Sequence, residues 1–282
     1  MGLSMTIKFW GVRGSIPSPG PSTVRYGGNT PCVSIDLGGD KTLILDAGTG
    51  IRELGKTLAL RNTDIFILVS HIHWDHIQGF PFFIPIYQQN RTIYMFPLQD
   101  GTIFCSLIEQ MDGAHFRLSP EDLPSQCHFI TGNGMGFLGQ QGFDVSHIAI
   151  NHPGGGYGYR IENGGRWVVY LTDNELHPPH GNKATDLDEF IQFCKDAEVL
   201  IHDAQYLKQD MPQRHGWGHS LVSQACELAV AAGGKHLVLF HHDPDRTDNE
   251  LDLIQEDTRS WFKTKNHTIQ CTAAFEGLTL EM

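Results

Sequence analysis

Short runs of apolar and β-branched residues recur along the chain and are separated by turns rich in glycine and polar residues. Such runs, bounded by turn signals, are typical of buried β-strands. We therefore predict strands at residues 42–45, 65–69, 92–96, 168–171, 199–201 and 236–240.

Helical periodicity lies between the later strands. The i, i+3, i+4, i+7 spacing that gives a helix one apolar face is found at Leu187, Phe190, Ile191 and Cys194. Asp186 is a suitable N-cap for this helix. A second helix is predicted over residues 221–232, with Ser220 as its cap and Gly233 in the left-handed position that ends it. A third is predicted over residues 251–262. Strands followed first by turns and only later by helices predict two packed sheets flanked by helices, a layered α/β architecture.

Composition narrows the class of protein. With 282 residues and 40% hydrophobic content, the chain suits one large domain, which we predict to span residues 1–282. A net charge of −12 disfavours a nucleic-acid-binding surface, because such surfaces normally consist of clustered Lys and Arg. No apolar run approaches the ~20 residues of a membrane span, so we expect a soluble protein without membrane association. Six scattered cysteines without a CxxC pair favour the reducing cytoplasm.

Polar residues able to bind a metal stand directly after several predicted strands. Three histidines and an aspartate fall within six residues, at His71, His73, Asp75 and His76. They follow an apolar strand and precede the apolar residues 79–83, which argues against a solvated loop tip. Asp173 and His241 also follow predicted strands. A rigid sheet edge can aim such side chains at one point, as a Zn²⁺ site requires.

The pattern His-x-His-x-Asp-His after an apolar strand resembles the signature of the metallo-β-lactamase superfamily. Further matches occur in the expected order at Asp46-Ala47-Gly48, Asn151-His152-Pro153, Thr172-Asp173 and Phe240-His241. The resemblance covers residues 8–245 and implies the four-layer αββα metallo-β-lactamase fold.

The resemblance also implies a centre for two divalent metal ions, with Zn²⁺ as the first choice and Mn²⁺ or Fe²⁺ as alternatives. One ion is held by His71, His73 and His152, the other by Asp75, His76 and His241, and Asp173 bridges both. Such a pair of ions polarises a phosphoryl oxygen and activates water. Asp75 would additionally orient that water. Asp46 is expected to organise the His-rich loop through hydrogen bonds.

Two neighbouring histidines leave an ambiguity, since His147 precedes His152 and His242 follows His241. We prefer His152 and His241, because the His-Pro-Gly context and the first position after a strand match the superfamily. His242 should point to the opposite side of its strand. For His147 a structural role is favoured over metal binding.

No cysteine occupies a ligand position, which departs from the antibiotic-degrading β-lactamases. His202-Asp203-Ala204-Gln205-Tyr206 and Gly218-His219-Ser220 instead resemble the His-Glu-Ala-Thr and Gly-His-Ser-Thr motifs of the phosphodiesterase branch. That branch includes transfer-RNA 3′-processing nucleases and the phosphoribosyl cyclic phosphodiesterase. The likeness implies that His219 is a general acid oriented by Asp203, which replaces a longer glutamate. The alternative is that His219 only helps to begin the following helix.

Two further groups of residues have two interpretations each. The glycine-rich residues 11–15, with Arg13, and 26–30 form either a phosphate-contacting loop at the edge of the site or ordinary turns. A set of ring-bearing side chains either stacks on a base or packs the loops: Tyr157, Tyr159, His215 and Trp217.

The predicted function is hydrolysis of a phosphodiester bond in a small molecule, with a cyclic nucleotide as one candidate. About twenty residues separate His152 from Asp173, too few for the basic arm of long transfer-RNA nucleases, so a nucleic-acid partner is disfavoured. The phosphoribosyl cyclic phosphodiesterase carries an additional structural zinc site built from clustered cysteines. This chain has no such cluster, which disfavours that substrate. Alternatives are a carboxylic-ester or thioester (lactonase-like) hydrolase, an RNA-processing nuclease and a non-catalytic binding module. Apolar residues 80–87 would form a pocket wall or a homodimer surface.

Overall fold

The computed structural model describes residues 4–96, 107–114, 116–179, 181 and 183–282. Within it the chain divides into two compact units. The first contains the chain up to Pro17, Gly27–Gly142 and Phe275–Met282, and the second contains Ser18–Tyr26 and Phe143–Ala274. The assignment of residues 1–282 to one domain stays a prediction.

The first unit is built on a seven-stranded sheet with the order β13-β1-β2-β3-β4-β5-β6. Its strands are β1 (Thr6–Gly11), β2 (Cys32–Asp36), β3 (Lys41–Leu45), β4 (Asp64–Leu68), β5 (Thr92–Phe96), β6 (Gln126–Phe129) and β13 (Thr279–Glu281). From β3 to β6 the strands run parallel, whereas β13, β1, β2 and β3 pair antiparallel. In the parallel part β3 and β4 end level with each other, since Leu45 pairs with Leu68.

Among the described residues of the first unit, the helices with both ends defined are short. They are α1 (Ile51–Leu58), α2 (Trp74–Ile77) and α3 (Gly134–Gln140), with 3-10 turns at Phe80–Phe82, Ile84–Tyr87 and Pro120–Asp122. The α1 helix buries Ile51, Leu54 and Leu58 in a core that also contains Phe80 and Phe83. Residues 80–87 therefore supply core side chains to this unit, and Phe82 is left exposed.

The second unit is built on a six-stranded sheet with the order β12-β11-β10-β9-β8-β7. Its strands are β7 (Asp144–Ala149), β8 (Tyr157–Asn163), β9 (Arg166–Leu171), β10 (Val199–Asp203), β11 (His236–Phe240) and β12 (Gln270–Ala273). The strands β9 to β12 run parallel. Because Asp203 pairs with Phe240 and His202 with Leu171, the carboxyl ends of β9, β10 and β11 meet at one edge.

In the part of the second unit that the structure describes, three helices accompany the sheet: α4 (Leu187–Phe193), α5 (Val222–Ala231) and α6 (Asp248–Thr264). Each contributes a fully or almost fully buried side chain to the hydrophobic core of this unit, namely Phe190, Leu228 and Phe262. The α6 helix begins three residues before the prediction, because Thr247 and Glu250 cap each other: the Thr247 hydroxyl accepts the Glu250 N–H and the Glu250 carboxylate accepts the Thr247 N–H.

The predicted α/β class with two sheets is confirmed, and each of the predicted strands is present with bounds within about two residues. The N-cap prediction for α5 is wrong. Leu221 occupies that position, and the Ser220 hydroxyl instead donates to the Asn174 carbonyl at 2.5 Å and accepts the Leu176 N–H at 3.1 Å. Gly233 does adopt the left-handed conformation after the helix, with φ of 68°.

The described residues also give the state of most cysteines and the length of the helices. Five cysteines there are free thiols: Cys32, Cys127, Cys194, Cys226 and Cys271. Cys105 lies outside the described residues. In the described part, every helix is too short or too polar to cross a bilayer. Cytoplasmic location stays a prediction.

Candidate functional site

Three of the predicted site residues follow the ends of strands in an unusual backbone conformation. Asp46 comes directly after β3, His241 directly after β11, and Asp173 two residues after β9. Their φ values are 63°, 58° and 48°, in the left-handed region that non-glycine residues rarely adopt. Residues held in this region cluster at functional sites, where the surrounding structure fixes them.

Asp46 organises the His-rich loop of the first unit. Its fully buried carboxylate accepts the Ser70 N–H at 2.6 Å and the Ser70 hydroxyl at 2.9 Å. The same carboxylate accepts the Nδ1–H of His76 at 2.8 Å. These bonds join the end of β3 to both ends of the loop that carries His71 to His76, as expected for Asp46.

Within the same loop the rings are packed closely together. Ser70 Oγ lies 3.1 Å from His71 Nδ1, and the rings of His71 and His76 have centroids 4.2 Å apart. The His73 side chain is exposed and meets the His71 ring edge-on at 4.6 Å. The first unit therefore brings its three predicted histidine ligands into one cluster.

Asp75 is held by the N-terminal loop of the same unit. Its Oδ2 atom accepts the Ser15 N–H at 2.8 Å and lies 3.3 Å from His76 Nε2. Arg13, in contrast, is fully buried, and its guanidinium donates to the Gly27 carbonyl at 3.1 Å. The loop of residues 11–15 therefore contacts Asp75 through its backbone, and the burial of Arg13 favours a structural role for its guanidinium over contact with phosphate.

In the second unit Asp173 and His241 lie side by side. His241 Nε2 is 2.8 Å from Asp173 Oδ2, and both side chains are almost completely buried. His241 Nδ1 donates to the Gln205 side-chain oxygen at 2.9 Å, which fixes the orientation of the ring. Gln205 stands two residues after β10, on the neighbouring strand end.

His152 belongs to the same unit and is oriented by a glycine. Its Nδ1–H donates to the Gly218 carbonyl at 2.9 Å. Gly218 has φ of 89°, and a Cβ atom at this position would lie 2.1 Å from His152 Nδ1. Only glycine fits between the loop and the ring.

His219 and Asp203 form a buried pair. His219 Nδ1 lies 2.6 Å from Asp203 Oδ2, and the aspartate also accepts the N–H of Gln205 at 3.0 Å. The shorter aspartate thus reaches the ring that the branch pairs with glutamate. His219 stacks on His241 with centroids 5.0 Å apart. Potential ligand atoms lie within 4.8 Å of one another in the group Asp173, Asp203, His219 and His241.

The donor set of each unit suits a divalent metal ion. In His71, His76, His152 and His241 the Nδ1 atom faces an oxygen that can accept its proton, and the tautomer with Nδ1–H leaves the lone pair of Nε2 for a metal ion. Metal-binding histidines are commonly fixed through the other ring nitrogen in this way. Imidazole and carboxylate donors accept Zn²⁺, Mn²⁺ and Fe²⁺.

The competing histidines have other environments. His242 donates through Nε2 to the Ala274 carbonyl at 2.8 Å, consistent with the expected opposite orientation. His147 is exposed on β7 and meets the Tyr157 ring. His202 is fully buried, its Nδ1–H donates to the Asp203 carbonyl at 2.6 Å, and burial lowers the pKa of its imidazole.

The ring-bearing candidates for base stacking separate clearly by exposure. Tyr159 is fully buried and Tyr157 is half-buried, which leaves Tyr159 to core packing. Trp217 and His215 are exposed.

Glu175 contacts the loop before His219 but was not predicted, because its partners Gly216 and Gly218 lie more than 40 residues away in sequence. Ser15 and Gln205 lie in a predicted loop and a predicted motif, but their contacts with Asp75 and His241 span more than 30 residues and no local pattern marks them.

Comparisons with known proteins agree with these observations. A family model described as a β-lactamase superfamily domain matches residues 41–242. Ribonuclease Z of Picrophilus torridus is 22% identical over 308 residues, which covers 93% of each protein.

Solved structures resemble the whole chain. The metallo-beta-lactamase fold protein YhfI from Bacillus subtilis has a TM-score of 0.67 at 17% identity and covers 99% of this chain and 100% of its own. A diphosphatase from the PhnP family has a TM-score of 0.67 at 17% identity, with 100% and 98% coverage.

Proposed function

The chain belongs to the metallo-β-lactamase superfamily and is a metal-dependent hydrolase, and from this premise we propose that it cleaves a phosphodiester bond in a small molecule such as a cyclic nucleotide. The proposal includes two divalent ions, with zinc as the first choice. Their ligands are those that the superfamily motif assigns: His71, His73, Asp75, His76, His152, Asp173 and His241.

The observation that carries the proposal is the hydrogen bond of 2.6 Å between His219 and Asp203. Cleavage of a phosphodiester expels an alkoxide, a poor leaving group that needs a proton. The buried carboxylate binds the Nδ1–H of the ring and fixes its orientation, so that Nε2, on the far side of the ring, can deliver a proton to the leaving oxygen. Carboxylic-ester and thioester hydrolysis, the other chemistry considered, depends less on such an acid when its leaving group is stable as an anion.

The bound ions would supply charge that polarises the phosphoryl oxygen and lowers the pKa of water. We assign to Asp75 the orientation of that water, and the Ser15 N–H bound to one of its carboxylate oxygens supports this assignment. Asp46 and Gln205 hold the rings of His76 and His241. Asp203 keeps the proton of His219 on the nitrogen that faces the carboxylate.

Two observations bear on the size of the substrate. The net charge of −12 disfavours a long polyanion, and a diphosphatase of the PhnP family shares the fold along the entire chain. The alignment with ribonuclease Z over 93% of the chain favours a second candidate, removal of a 3′ extension from RNA. The sequence-based expectation against a nucleic-acid partner gains no support from that relative.

A substrate panel tests the proposal. Protein loaded with Zn²⁺ or Mn²⁺ is assayed on bis-p-nitrophenyl phosphate, cyclic mono- and dinucleotides, p-nitrophenyl acetate, a thioester, a lactone and a 3′-extended transfer-RNA precursor. We expect phosphodiester cleavage that Asp75→Ala abolishes and His147→Ala, a matched histidine control, preserves.

Four results would contradict the proposal or redirect it. No turnover with either metal, or equal turnover by wild type and Asp75→Ala, rejects a metal-dependent phosphodiesterase. A higher kcat/KM on the lactone or thioester selects the ester hydrolase. Cleavage confined to the RNA precursor selects the second candidate.

A further inference from the structure

A tightly anchored loop precedes His219. This loop, residues 214–218, is held by the carboxylate of Glu175. Its two oxygens accept the N–H groups of Gly216 at 2.9 Å and Gly218 at 3.0 Å. Glu175 is only 3% exposed, and a buried carboxylate needs hydrogen-bond donors, which these two N–H groups provide. Both glycines have φ of 89°, a conformation unfavourable for other residues.

The residue between these two anchored glycines is Trp217. Its side chain is 59% exposed, although the backbone on either side is fixed by hydrogen bonds. A buried carboxylate and two left-handed glycines therefore fix the backbone of this loop, while its indole ring is exposed to solvent. Core packing does not account for this arrangement, because most of the ring surface lies outside the core.

A cation accompanies the ring. Arg214 lies over the Trp217 ring, with Cζ 6.0 Å from the centroid, and over the Tyr206 ring at 5.1 Å. Its guanidinium forms an ion pair with the buried Asp243. The ion pair with Asp243 thus fixes Arg214, and a cation–π contact with Arg214 stabilises the position of the indole ring.

Trp217 lies one residue from Gly218 and two residues from His219 along the chain. The carbonyl of Gly218, the next residue, accepts the Nδ1–H of His152, and His219 follows. The Cα atoms of Trp217 and His219 are therefore at most about 7.6 Å apart, so a ligand bound at His219 lies beside the loop that carries the indole.

We propose that Trp217 is a stacking platform for the nucleobase of the substrate, which identifies the substrate class as a nucleotide phosphodiester. This inference rests on the proposed function. Base–indole stacking tolerates any base, because every base offers a π-face. The platform selects diesters that carry a base over those that do not, and it leaves the identity of the base open.

Binding to the metal-loaded protein tests the proposal independently of turnover. Adenosine 5′-monophosphate and ribose 5-phosphate differ only by the base, and the dissociation constant of each is measured by calorimetry. We expect wild type to prefer adenosine 5′-monophosphate, and Trp217→Ala to reduce this preference by about tenfold. Trp217→Phe, which keeps a ring, should retain most of it.

The matched control is Leu253→Ala, which removes a side chain that is also 59% exposed but lies on α6. Its preference should equal that of wild type. Equal preference in wild type and Trp217→Ala overturns the platform, as does a wild type without preference, or a loss of preference in Leu253→Ala as large as that in Trp217→Ala. A protein that cleaves phosphodiesters but shows no effect of Trp217 retains the proposed function alone. A Trp217-dependent preference without any turnover retains the platform alone.

Discussion

His219 Nδ1 and Asp203 Oδ2 lie 2.6 Å apart, and both side chains are buried beside the carboxyl ends of β10 and β11. The aspartate also accepts the Gln205 N–H, and Gln205 in turn orients His241. In the proposed mechanism, proton delivery by His219 and metal binding by His241 are therefore linked through Asp203, the last residue of β10, and Gln205, two residues later.

The first prediction concerns the leaving group. His219→Ala should lower kcat on a cyclic nucleotide by about 10²- to 10⁴-fold, because its alkoxide needs a proton. On bis-p-nitrophenyl phosphate the loss should be much smaller, since p-nitrophenolate leaves unprotonated. Asp203→Asn should reproduce the pattern. Equal losses on both substrates would instead assign His219 to metal binding or folding.

The second prediction concerns Asp46. Asp46→Asn removes one acceptor oxygen while asparagine still tolerates the left-handed conformation. We expect metal affinity to fall by about 10- to 100-fold, because His76 loses its charged partner. Competition with a chelator measures this, with circular dichroism as the control for folding. Unchanged affinity would show that Ser70 and the loop backbone alone fix His76.

The third prediction compares two glycines with the same φ of 89°. Gly218→Ala places a Cβ atom 2.1 Å from His152 Nδ1, whereas in Gly216→Ala the nearest atom is Pro179 Cγ at 3.1 Å. Both variants should lose about 1 kcal/mol of stability from the backbone. Only Gly218→Ala should also lose bound metal, measured by elemental analysis after dialysis. Similar metal contents would mean that His152 is not a ligand.

The fourth prediction concerns pH. Burial lowers the pKa of His202 and of His236 in the folded chain, so near pH 6 the unfolded chain binds more protons than the folded one. The contribution of these residues to stability is present above their ordinary pKa of about 6.5 and is lost as pH falls below it. Denaturant unfolding of the metal-free protein should show this loss, and His236→Gln should reduce its slope. A slope identical to that of wild type would contradict the assignment.

The sequence predicted the parts of this molecule that depend on local pattern. Apolar runs marked the buried parallel strands, and the motif around His71 marked a loop in which Asp75 and His76 do lie together. The edge and antiparallel strands β1, β7 and β8 were not predicted, because their half-buried residues form no continuous apolar run.

Long-range contacts explain what the sequence could not predict. Ser220 resembles an N-cap, but its hydroxyl bonds to residues 174 and 176, which only the fold brings near. Arg13 resembles a phosphate ligand, but the Gly27 carbonyl occupies its guanidinium. No local sequence pattern marks Glu175, because its partners are the N–H groups of two glycines about 40 residues later in the chain.

The left-handed backbone at Asp46, Asp173 and His241 has an evolutionary consequence. Each such residue costs on the order of 1 to 3 kcal/mol, which glycine would recover in part. At Asp46 and His241 this gain is offset, because glycine would leave buried hydrogen-bond partners unpaired. At Asp173 glycine would instead remove a buried carboxylate. A library screened for thermostability without an activity assay should therefore accumulate changes at Asp173 rather than at Asp46 or His241.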